Sequence, residues 1–273
     1  MTTPPPPSAT PVASTTGGGR ARATRYAYRV PVLVWHILID LPIVLLLMAP
    51  PWGRIDIRGV SLAHHAIRLW SAGLMRLFGF TLIRIGTPLS GATLFVANHV
   101  SWIDIVTLHS QRMMGFVAKR EIAGWPVVGW LAARGETIFH QRGNQESLGG
   151  VLHEMLARLR TGRSVGVFPE GRTRDGREIG PFHARIFLAA VEAGAPVQPV
   201  ALRYGTGAAA QTIVAFAPKE NFFANFVRMI GEPARDAEVV FLEPILPTDA
   251  LGRRRIAELA RERIVGAMPP AVR

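Results

Sequence analysis

The sequence predicts an α/β domain built around a mixed sheet and preceded by a pair of N-terminal membrane-binding helices. From residue 93 onward, short apolar runs typical of buried strands alternate with helical patterns. Before that point, two long apolar stretches follow an arginine-rich leader. These observations divide the chain into a disordered basic N-terminus over 1–24, membrane-associated helices over 25–82 and the α/β domain over 83–273.

The composition favours a membrane-associated protein with anionic partners. Hydrophobic residues make up 49% of the 273, and the mean hydropathy is positive. The net charge of +12 is almost all arginine, which suits anionic lipid head groups and phosphorylated substrates, although a genomic composition bias gives the same excess. No nucleic-acid-binding module is recognisable, so nucleic acid is not an expected partner. Because the chain has no cysteine, a thiol nucleophile and a Cys-based zinc site are excluded, and we expect neither metal nor cofactor.

The N-terminal region begins with residues rich in Pro, Thr, Ser and Gly, which cannot bury a core and are expected to be disordered. Four arginines then lead into the apolar stretch 30–49, which has the length of a bilayer span. His36, Asp40 and Pro42 interrupt it. Because an acidic residue at mid-span costs about 2.5–3.5 kcal/mol, a shallow helix is favoured over a spanning one.

A second apolar stretch, 62–82, carries Arg68 and Arg76 eight residues apart, on roughly one helical face. We expect residues 30–82 to form a re-entrant pair that enters and leaves the same side of the membrane. A single full span and two ordinary core helices remain as alternatives. The arginines before residue 30 place that side in the cytoplasm by the positive-inside rule.

The α/β domain is predicted from alternating strand and helix patterns. Strands are predicted at 93–98, 114–118, 136–140, 164–168, 197–203, 212–217 and 238–242. A helix over 144–161 has the clearest pattern, with Asn144 as its cap and Gly162 after its end. Further helices are predicted over 182–193, ending at Gly194, and over 249–266, where a basic helix lies on the surface.

The stretch 93–104 brings a candidate base close to a carboxylate. An uncharged apolar run ends on Asn98 and His99, and Ser101 then caps a helix that carries Asp104. A carboxylate on one imidazole nitrogen leaves the other nitrogen as a proton acceptor. No Gly-x-Ser-x-Gly elbow is present, so the nucleophile is expected to belong to the substrate. A lone His-x4-Asp pattern is also common in purely structural settings.

Three further segments place polar side chains beyond the ends of predicted strands. In open α/β sheets this edge carries the chemistry. Each segment contains arginine. A single arginine could be an ordinary solvated loop charge, but several arginines at one edge would supply bidentate donors for a phosphate. The candidates are Lys119, Arg142, Glu170, Gly171, Arg172 and Arg174.

Taken in order, these segments resemble the sequence blocks of the glycerolipid acyltransferase family. Within it, the resemblance is greatest to bacterial 1-acyl-glycerol-3-phosphate acyltransferases and covers about residues 60–245. The blocks are Asn98-His99-x-Ser101-x-x-Asp104, Lys119-x-Glu121, Ile138-Phe139-x-x-Arg142, Phe168-Pro169-Glu170-Gly171 and Val197-x-Pro199-Val200-Ala201.

The resemblance implies a mechanism at the cytoplasmic face of a bacterial inner membrane. His99 would take the proton from the free hydroxyl of a lysolipid, which attacks the thioester of acyl-CoA or acyl carrier protein directly and gives phosphatidic acid. Asp104 would fix the histidine tautomer, Arg142 would bind the phosphate, and Glu170 with Gly171 would position the glycerol or shape the loop. We expect the oxyanion to be stabilised by backbone N–H groups at the helix start after His99. The remaining substrate-binding candidates are Asn98, Ser101, Lys119, Arg172 and Arg174.

Two departures from the family pattern leave the acyl acceptor open. The family commonly follows Phe-Pro-Glu-Gly with Thr-Arg-Ser or Thr-Thr-Ser, where this chain has Arg172-Thr173-Arg174. It usually has Ile-Asp where this chain has His140-Gln141. Another lysolipid, such as a lyso-ornithine lipid, is therefore an alternative acceptor. A non-catalytic lipid-binding protein is a further alternative, disfavoured by the intact His–Asp pair, and a hydrolase is disfavoured by the lack of an enzyme nucleophile.

Overall fold

The computed structural model describes residues 16–125, 128–141, 145–205, 210–246 and 252–269. Its strands are β1 (Asp56–Ile57), β2 (Val60–Ser61), β3 (Phe80–Ile85), β4 (Leu94–Ala97), β5 (Gly115–Lys119), β6 (Ile138–His140), β7 (Val165–Val167), β8 (Val197–Tyr204) and β9 (Arg235–Phe241). Its helices are α1 (Thr16–Trp35), α2 (Leu41–Met48), α3 (Leu62–Leu77), α4 (Ile103–His109), α5 (Val128–Arg134), α6 (Gln145–Arg160), α7 (Leu188–Ala193), α8 (Ala210–Val214), α9 (Phe222–Ile230) and α10 (Arg253–Ala267).

The main sheet is mixed, as predicted. Across the described residues it has seven strands in the order β3-β9-β8-β4-β7-β5-β6. Strands β8, β4, β7, β5 and β6 run parallel, whereas β9 and β3 run the opposite way. The carboxyl ends of the five parallel strands therefore meet at one edge, together with the start of β3. β4 lies at the centre of the sheet, and this edge is where the chain continues into His99.

Helices cover both faces of the sheet. On one face, α3, α4 and α9 pack against a cluster that contains Phe95, Leu202 and Val239. On the other, α6, α7 and α10 pack against a cluster built on Leu94 and Val165. Consecutive residues of β4 thus point to opposite layers and are all buried, which explains why this strand reads as an unbroken apolar run.

Most of the predicted strands are confirmed. β4, β5, β6, β7, β8 and β9 match six of the seven predictions. The strand predicted at 212–217 is wrong, because Ala210–Val214 form α8. The side chain of Gln211 ties this helix to the end of β8, since its Oε1 accepts from the Tyr204 N–H at 3.0 Å. Both edges of β8 are already paired, with β4 and β9.

The predicted helices are confirmed with shifted ends. α6 ends before Gly162, which has a φ of +83°, while the cap predicted at Asn144 lies outside the described residues. The helix predicted over 182–193 begins as a 3₁₀ turn, Ala184–Phe187, and ends at the left-handed Gly194. The helix predicted over 62–82 ends at Leu77, because Gly79 turns the chain at a φ of +84° into β3.

The N-terminal helix is longer than predicted. α1 and α2 join through a π-helical turn, His36–Asp40, into one rod. The expected disorder is wrong for residues 16–24, which are helical, while residues 1–15 lie outside the described part. Contacts to the end of α9 hold the helix: the Arg25 Nε donates to the Gly231 carbonyl at 2.6 Å, and the Tyr26 hydroxyl donates to the Val227 carbonyl at 2.8 Å.

The long helix has the character of a membrane-binding element. In the described part of the chain, Gly19–Met48 is the one helix long and apolar enough to cross a membrane, and only 17% of its most apolar window is buried. α3, which packs beside α2, buries Leu74, Met75 and Leu77 in the main core. The helical pair is therefore present, but its second member belongs to the α/β core, which starts before residue 83.

Candidate active site

The side chains of His99 and Asp104 meet at the carboxyl end of β4. His99 Nδ1 lies 2.7 Å from Asp104 Oδ2, and the same oxygen accepts the N–H groups of Val100 and Ser101 at 2.7 and 2.9 Å. Asp104 is fully buried, while the His99 side chain is 16% exposed. Because Nδ1 faces a carboxylate it carries the proton, which leaves Nε2 as an acceptor, and Nε2 has no hydrogen-bond partner among the described residues.

Tyr204, at the end of β8, completes the shell around the carboxylate. Its hydroxyl donates to Asp104 Oδ1 at 2.6 Å. Burial, followed by the charge of Asp104, raises the pKa of Tyr204 well above its ordinary value, so the phenol stays protonated. Sequence reasoning missed Tyr204; its signal was a polar aromatic residue at the carboxyl end of an apolar strand.

An aromatic stack fixes the plane of the imidazole. The His99 ring lies on Phe168, with centroids 3.9 Å apart and planes 11° apart. Phe116 stacks behind Phe168 at 5.6 Å. Phe168 immediately follows β7, so two adjacent parallel strands deliver the base and its support. With one face covered and Nδ1 tied to Asp104, the imidazole has little rotational freedom.

Glu170 links two loops behind the base. Its Oε1 accepts the His99 N–H at 2.9 Å, and its Oε2 accepts the Gly180 N–H at 2.9 Å. Burial raises the pKa of Glu170, while the two N–H groups and the neighbouring positive charges oppose the shift. Gly171 follows at a φ of +71° and donates its N–H to the Phe168 carbonyl. Of the two roles expected for this pair, the contacts favour shaping the loop.

Arg172 and Arg174 differ in their surroundings. The Arg174 guanidinium forms an ion pair with Glu170 at 3.2 Å, and the backbone N–H of Arg174 donates to the His99 carbonyl at 2.8 Å. Its guanidinium occupies the space that a β-carbon at Gly180 would need. Arg172 is exposed, and among the described residues it has no hydrogen bond or ion pair. Of these two, Arg172 is the cation open to a ligand.

Asn98 and Ser101 hold the backbone in place. Asn98 is 2% exposed, and its amide makes two hydrogen bonds with the Leu202 backbone, at 3.0 and 2.8 Å. Ser101 is fully buried, and its Oγ accepts the Ile103 N–H at 3.2 Å. The N-cap residue of α4 is Trp102 rather than the predicted Ser101, which lies one position earlier. The polar atoms of both side chains are turned to the backbone, so these contacts lend no support to the expectation that Asn98 and Ser101 contact substrate.

The remaining expectations have separate outcomes. Lys119 is exposed at the carboxyl end of β5, the same edge as His99, whereas Arg142 lies outside the described residues. Of the N–H groups expected to stabilise the oxyanion, those of Val100 and Ser101 donate to Asp104 and stabilise its carboxylate instead. The Ile103 N–H donates to Ser101 Oγ.

Comparison with known proteins identifies the family. The sequence model of the Acyltransferase family matches residues 84–203. Lyso-ornithine lipid O-acyltransferase from Pseudomonas aeruginosa is 33% identical over 198 residues, which is 72% of this chain and 76% of that protein. The chain belongs to the glycerolipid acyltransferase family. It is therefore an acyltransferase that acts on lysolipids.

Two further relatives are named for two different substrates. Lyso-ornithine lipid O-acyltransferase from Brucella abortus is 32% identical to this acyltransferase over 211 residues, covering 72% of this chain and 79% of that one. 1-Acyl-sn-glycerol-3-phosphate acyltransferase from Neisseria gonorrhoeae is 37% identical over 125 residues, covering 45% and 49%.

A solved structure shares the fold. The crystal structure of the 1-acyl-sn-glycerophosphate acyltransferase PlsC from Thermotoga maritima matches with a TM-score of 0.68 at 19% identity, covering 92% of this chain and 99% of that one. The likeness therefore includes the N-terminal helices as well as the α/β sandwich of this acyltransferase.

Proposed function

We propose that this acyltransferase moves a fatty acyl group from acyl-CoA or acyl carrier protein directly onto the free hydroxyl of a lysolipid, with His99 as the general base. The observation that carries the proposal is the geometry of the His99–Asp104 pair. The His99 Nδ1 is tied to a buried carboxylate at 2.7 Å, the His99 side chain is 16% exposed, and its Nε2 has no hydrogen-bond partner among the described residues. A base held in one tautomer at a strand edge is what proton removal from an alcohol requires.

The reaction then balances without an enzyme nucleophile. Nε2 takes the hydroxyl proton as the lysolipid oxygen attacks the thioester carbonyl. Collapse of the tetrahedral intermediate forms the ester and breaks the carbon–sulfur bond, and the imidazolium returns the proton to the departing thiolate. Asp104 stabilises the transient imidazolium. This stabilisation needs little reorganisation of the site, because four donors, including Tyr204, already hold the carboxylate in place.

For the acceptor, we place lyso-ornithine lipid first and 1-acyl-glycerol-3-phosphate second. Two relatives named for lyso-ornithine lipid align over 72% of this chain, whereas the relative named for the glycerol phosphate aligns over 45%. The glycerol phosphate is kept because that shorter match has the higher identity and because the motif resemblance is to this branch. It would yield phosphatidic acid.

The head group is assigned to exposed cations at the His99 edge. Arg172 and Lys119 are exposed there, and the family resemblance adds Arg142. Guanidinium groups bind either the phosphate of a glycerophosphate or the carboxylate of an ornithine head group. Arg174 is left out of this set, because its pairing with Glu170 occupies it.

For the location, we propose the cytoplasmic face of a bacterial inner membrane, with the long N-terminal helix in the leaflet. Acyl thioester donors are cytosolic, and arginines at 20, 22, 25 and 29 precede the apolar part of the helix. Single cysteines introduced near residues 15 and 270 of this cysteine-free chain test the topology with an impermeant thiol reagent. Labelling of only one of them in intact cells contradicts a re-entrant arrangement.

The decisive experiment is an acceptor panel with the purified full chain in vesicles and labelled acyl-CoA. We expect transfer to lyso-ornithine lipid with a kcat/KM well above that for 1-acyl-glycerol-3-phosphate. The opposite order reverses the acceptor assignment but keeps the mechanism. Thioester hydrolysis without transfer to either lipid contradicts the proposal. Arg172→Ala and Arg142→Ala should each raise the KM for the preferred lysolipid far more than the KM for acyl-CoA.

A further inference from the structure

The helix α9 exposes an apolar strip that no described element covers. Phe223 is 62% exposed and Val227 is 54% exposed, and their i, i+4 spacing places them side by side on the outer face. The opposite face is buried, with Asn225 and Met229 inaccessible to solvent. The helix is therefore firmly seated in the protein, and its outward apolar residues are a fixed feature of the surface.

α9 is seated directly beside the active site. The Trp102 Nε1–H donates to Asn225 Oδ1 at 2.9 Å, and the Trp102 ring lies 5.7 Å from Phe222 and 5.3 Å from Phe226. Trp102 is three residues from His99 and immediately precedes α4. The exposed strip thus occupies the edge of the sheet at which the base is presented.

The strip is continuous with the membrane-binding helix. The Tyr26 hydroxyl donates to the carbonyl of Val227 itself, and the Arg29 Nη1 donates to the Ile230 carbonyl at 2.8 Å. Beyond Arg29, α1 exposes valines at 30, 32 and 34. The apolar surface that begins on the long helix therefore extends onto the catalytic domain.

The surroundings of the strip match an anionic membrane surface. Trp125 packs against Phe222 and Phe223, with ring centroids 5.3 and 6.4 Å apart. Exposed Lys219 precedes α9, and exposed Arg120 opens the turn that leads to Trp125. Aromatic rings flanked by basic side chains are the combination that settles at the head-group level of a bilayer.

We propose that α9 is a second membrane contact, in which Phe223 and Val227 insert into the leaflet and hold the opening of the His99 site at the lipid surface. A lysolipid could then reach the base without leaving the bilayer. The proposal rests on the proposed function only in taking the substrate to be a membrane lipid, and it holds for either acyl acceptor.

The test uses the full chain, which has no native cysteine. A polarity-sensitive fluorophore is attached to Phe223→Cys, and separately to Val227→Cys, and the protein is bound to vesicles that contain anionic lipid and doxyl-labelled chains. We expect a blue shift and strong quenching at both positions. Val191→Cys is the matched control, since this residue is 42% exposed on α7 at the opposite edge of the sheet and should stay unquenched.

A kinetic arm separates membrane insertion from chemistry. Phe223→Ser with Val227→Ser should raise the KM for lysolipid in vesicles about tenfold, the order expected from two exposed apolar side chains. The kcat/KM for lysolipid in detergent micelles should stay within twofold of the unmodified chain. Water-exposed labels at both positions overturn the proposal whatever the acceptor. So does a change from dimer to monomer in the double variant with unchanged vesicle kinetics, which would make α9 a subunit interface.

Discussion

Replacing Tyr204 with Phe tests whether the Tyr204 hydroxyl helps to hold the Asp104 carboxylate in place behind His99. The substitution keeps the ring, which packs edge-on against Phe80, and removes only the hydroxyl that donates to Asp104 Oδ1 at 2.6 Å. Among the described residues, no other donor reaches that oxygen. A hydrogen bond to a charged group contributes about 1.5–3 kcal/mol, so we expect the free energy of unfolding to fall by roughly that amount.

The catalytic effect of Tyr204→Phe has a distinct signature. With one donor fewer, the Asp104 carboxylate is held less firmly and orients the His99 imidazole less well. We expect kcat to fall by about tenfold while the KM for lysolipid stays the same, since a loss of about 1.4 kcal/mol in the transition state is tenfold in rate. The assay is acyl transfer at varied lysolipid concentration, with chemical denaturation in parallel.

Thr107→Val is the matched control. It removes the other contact of the Tyr204 hydroxyl, at 3.3 Å, and leaves Asp104 untouched, so kcat should stay unchanged. If Tyr204→Phe loses stability with no change in kcat, the phenol is a packing element only. If neither quantity changes, the hydrogen bond to Asp104 has no energetic role, and the reasoning is refuted.

Three further predictions concern the His99–Asp104 pair, the Arg174 contact at Gly180 and the Glu220–Arg228 ion pair. Asp104→Asn should lower kcat by about 10²-fold or more, because the amide can favour the wrong imidazole tautomer; near-normal turnover would contradict the orienting role. Gly180→Ala should displace the Arg174 guanidinium and reduce kcat/KM, while Gly252→Ala, in open space, should be silent; equal effects would show that this contact is unimportant. Arg228 lowers the pKa of Glu220 from 4.5 to about 2, so stability present above pH 4.5 should be lost as the pH falls toward 2. The loss should amount to about 1–2 kcal/mol after allowing for solvent screening, and Glu220→Gln should abolish it when the free energy of unfolding is measured against pH. If the variant loses the same amount of stability in acid, a group other than Glu220 is responsible.

The centre of the site was predictable because it is local. His99 and Asp104 lie within one strand-to-helix turn, and the residue types and their spacing are visible in six positions. Tyr204 and Phe168 reach the same pair from distant parts of the chain, and only the order of the sheet strands brings them together. A Tyr or Phe at a strand end can be noted as a candidate, but the sequence around it does not say which residue it contacts.

The expectations for Asn98 and Ser101 depend on the direction of a polar side chain. Asn98 and Ser101 were identified as polar residues of the motif, but the sequence does not say whether such atoms turn to a ligand or to the backbone. In the fold both turn to the backbone, since buried N–H and carbonyl groups at a strand end need partners. The N–H groups of Val100 and Ser101, which were expected to stabilise the oxyanion, donate to the Asp104 carboxylate.

The fold errors arise where hydrophobic patterns run together. Residues 78–82 continue the apolar stretch of α3, so β3 was read as the end of a helix, and Gly79 was the only local sign of a break. Residues 212–217 are apolar enough for a strand, but both sides of the preceding strand, β8, are already paired, one with β4 and the other with β9. Competition for sheet edges is a property of the whole chain, which a window of a few residues cannot show.

The central claim is that His99 is the base that activates the lysolipid hydroxyl. The most direct measurement is the kcat of His99→Ala, with the unfolding transition and vesicle binding recorded on the same protein. We expect kcat to fall by about 10²–10⁴-fold with folding and binding retained, because Asp104 keeps its Tyr204 and backbone donors when the imidazole is removed. A folded, membrane-bound His99→Ala protein that transfers acyl groups at a near-normal rate would contradict the account.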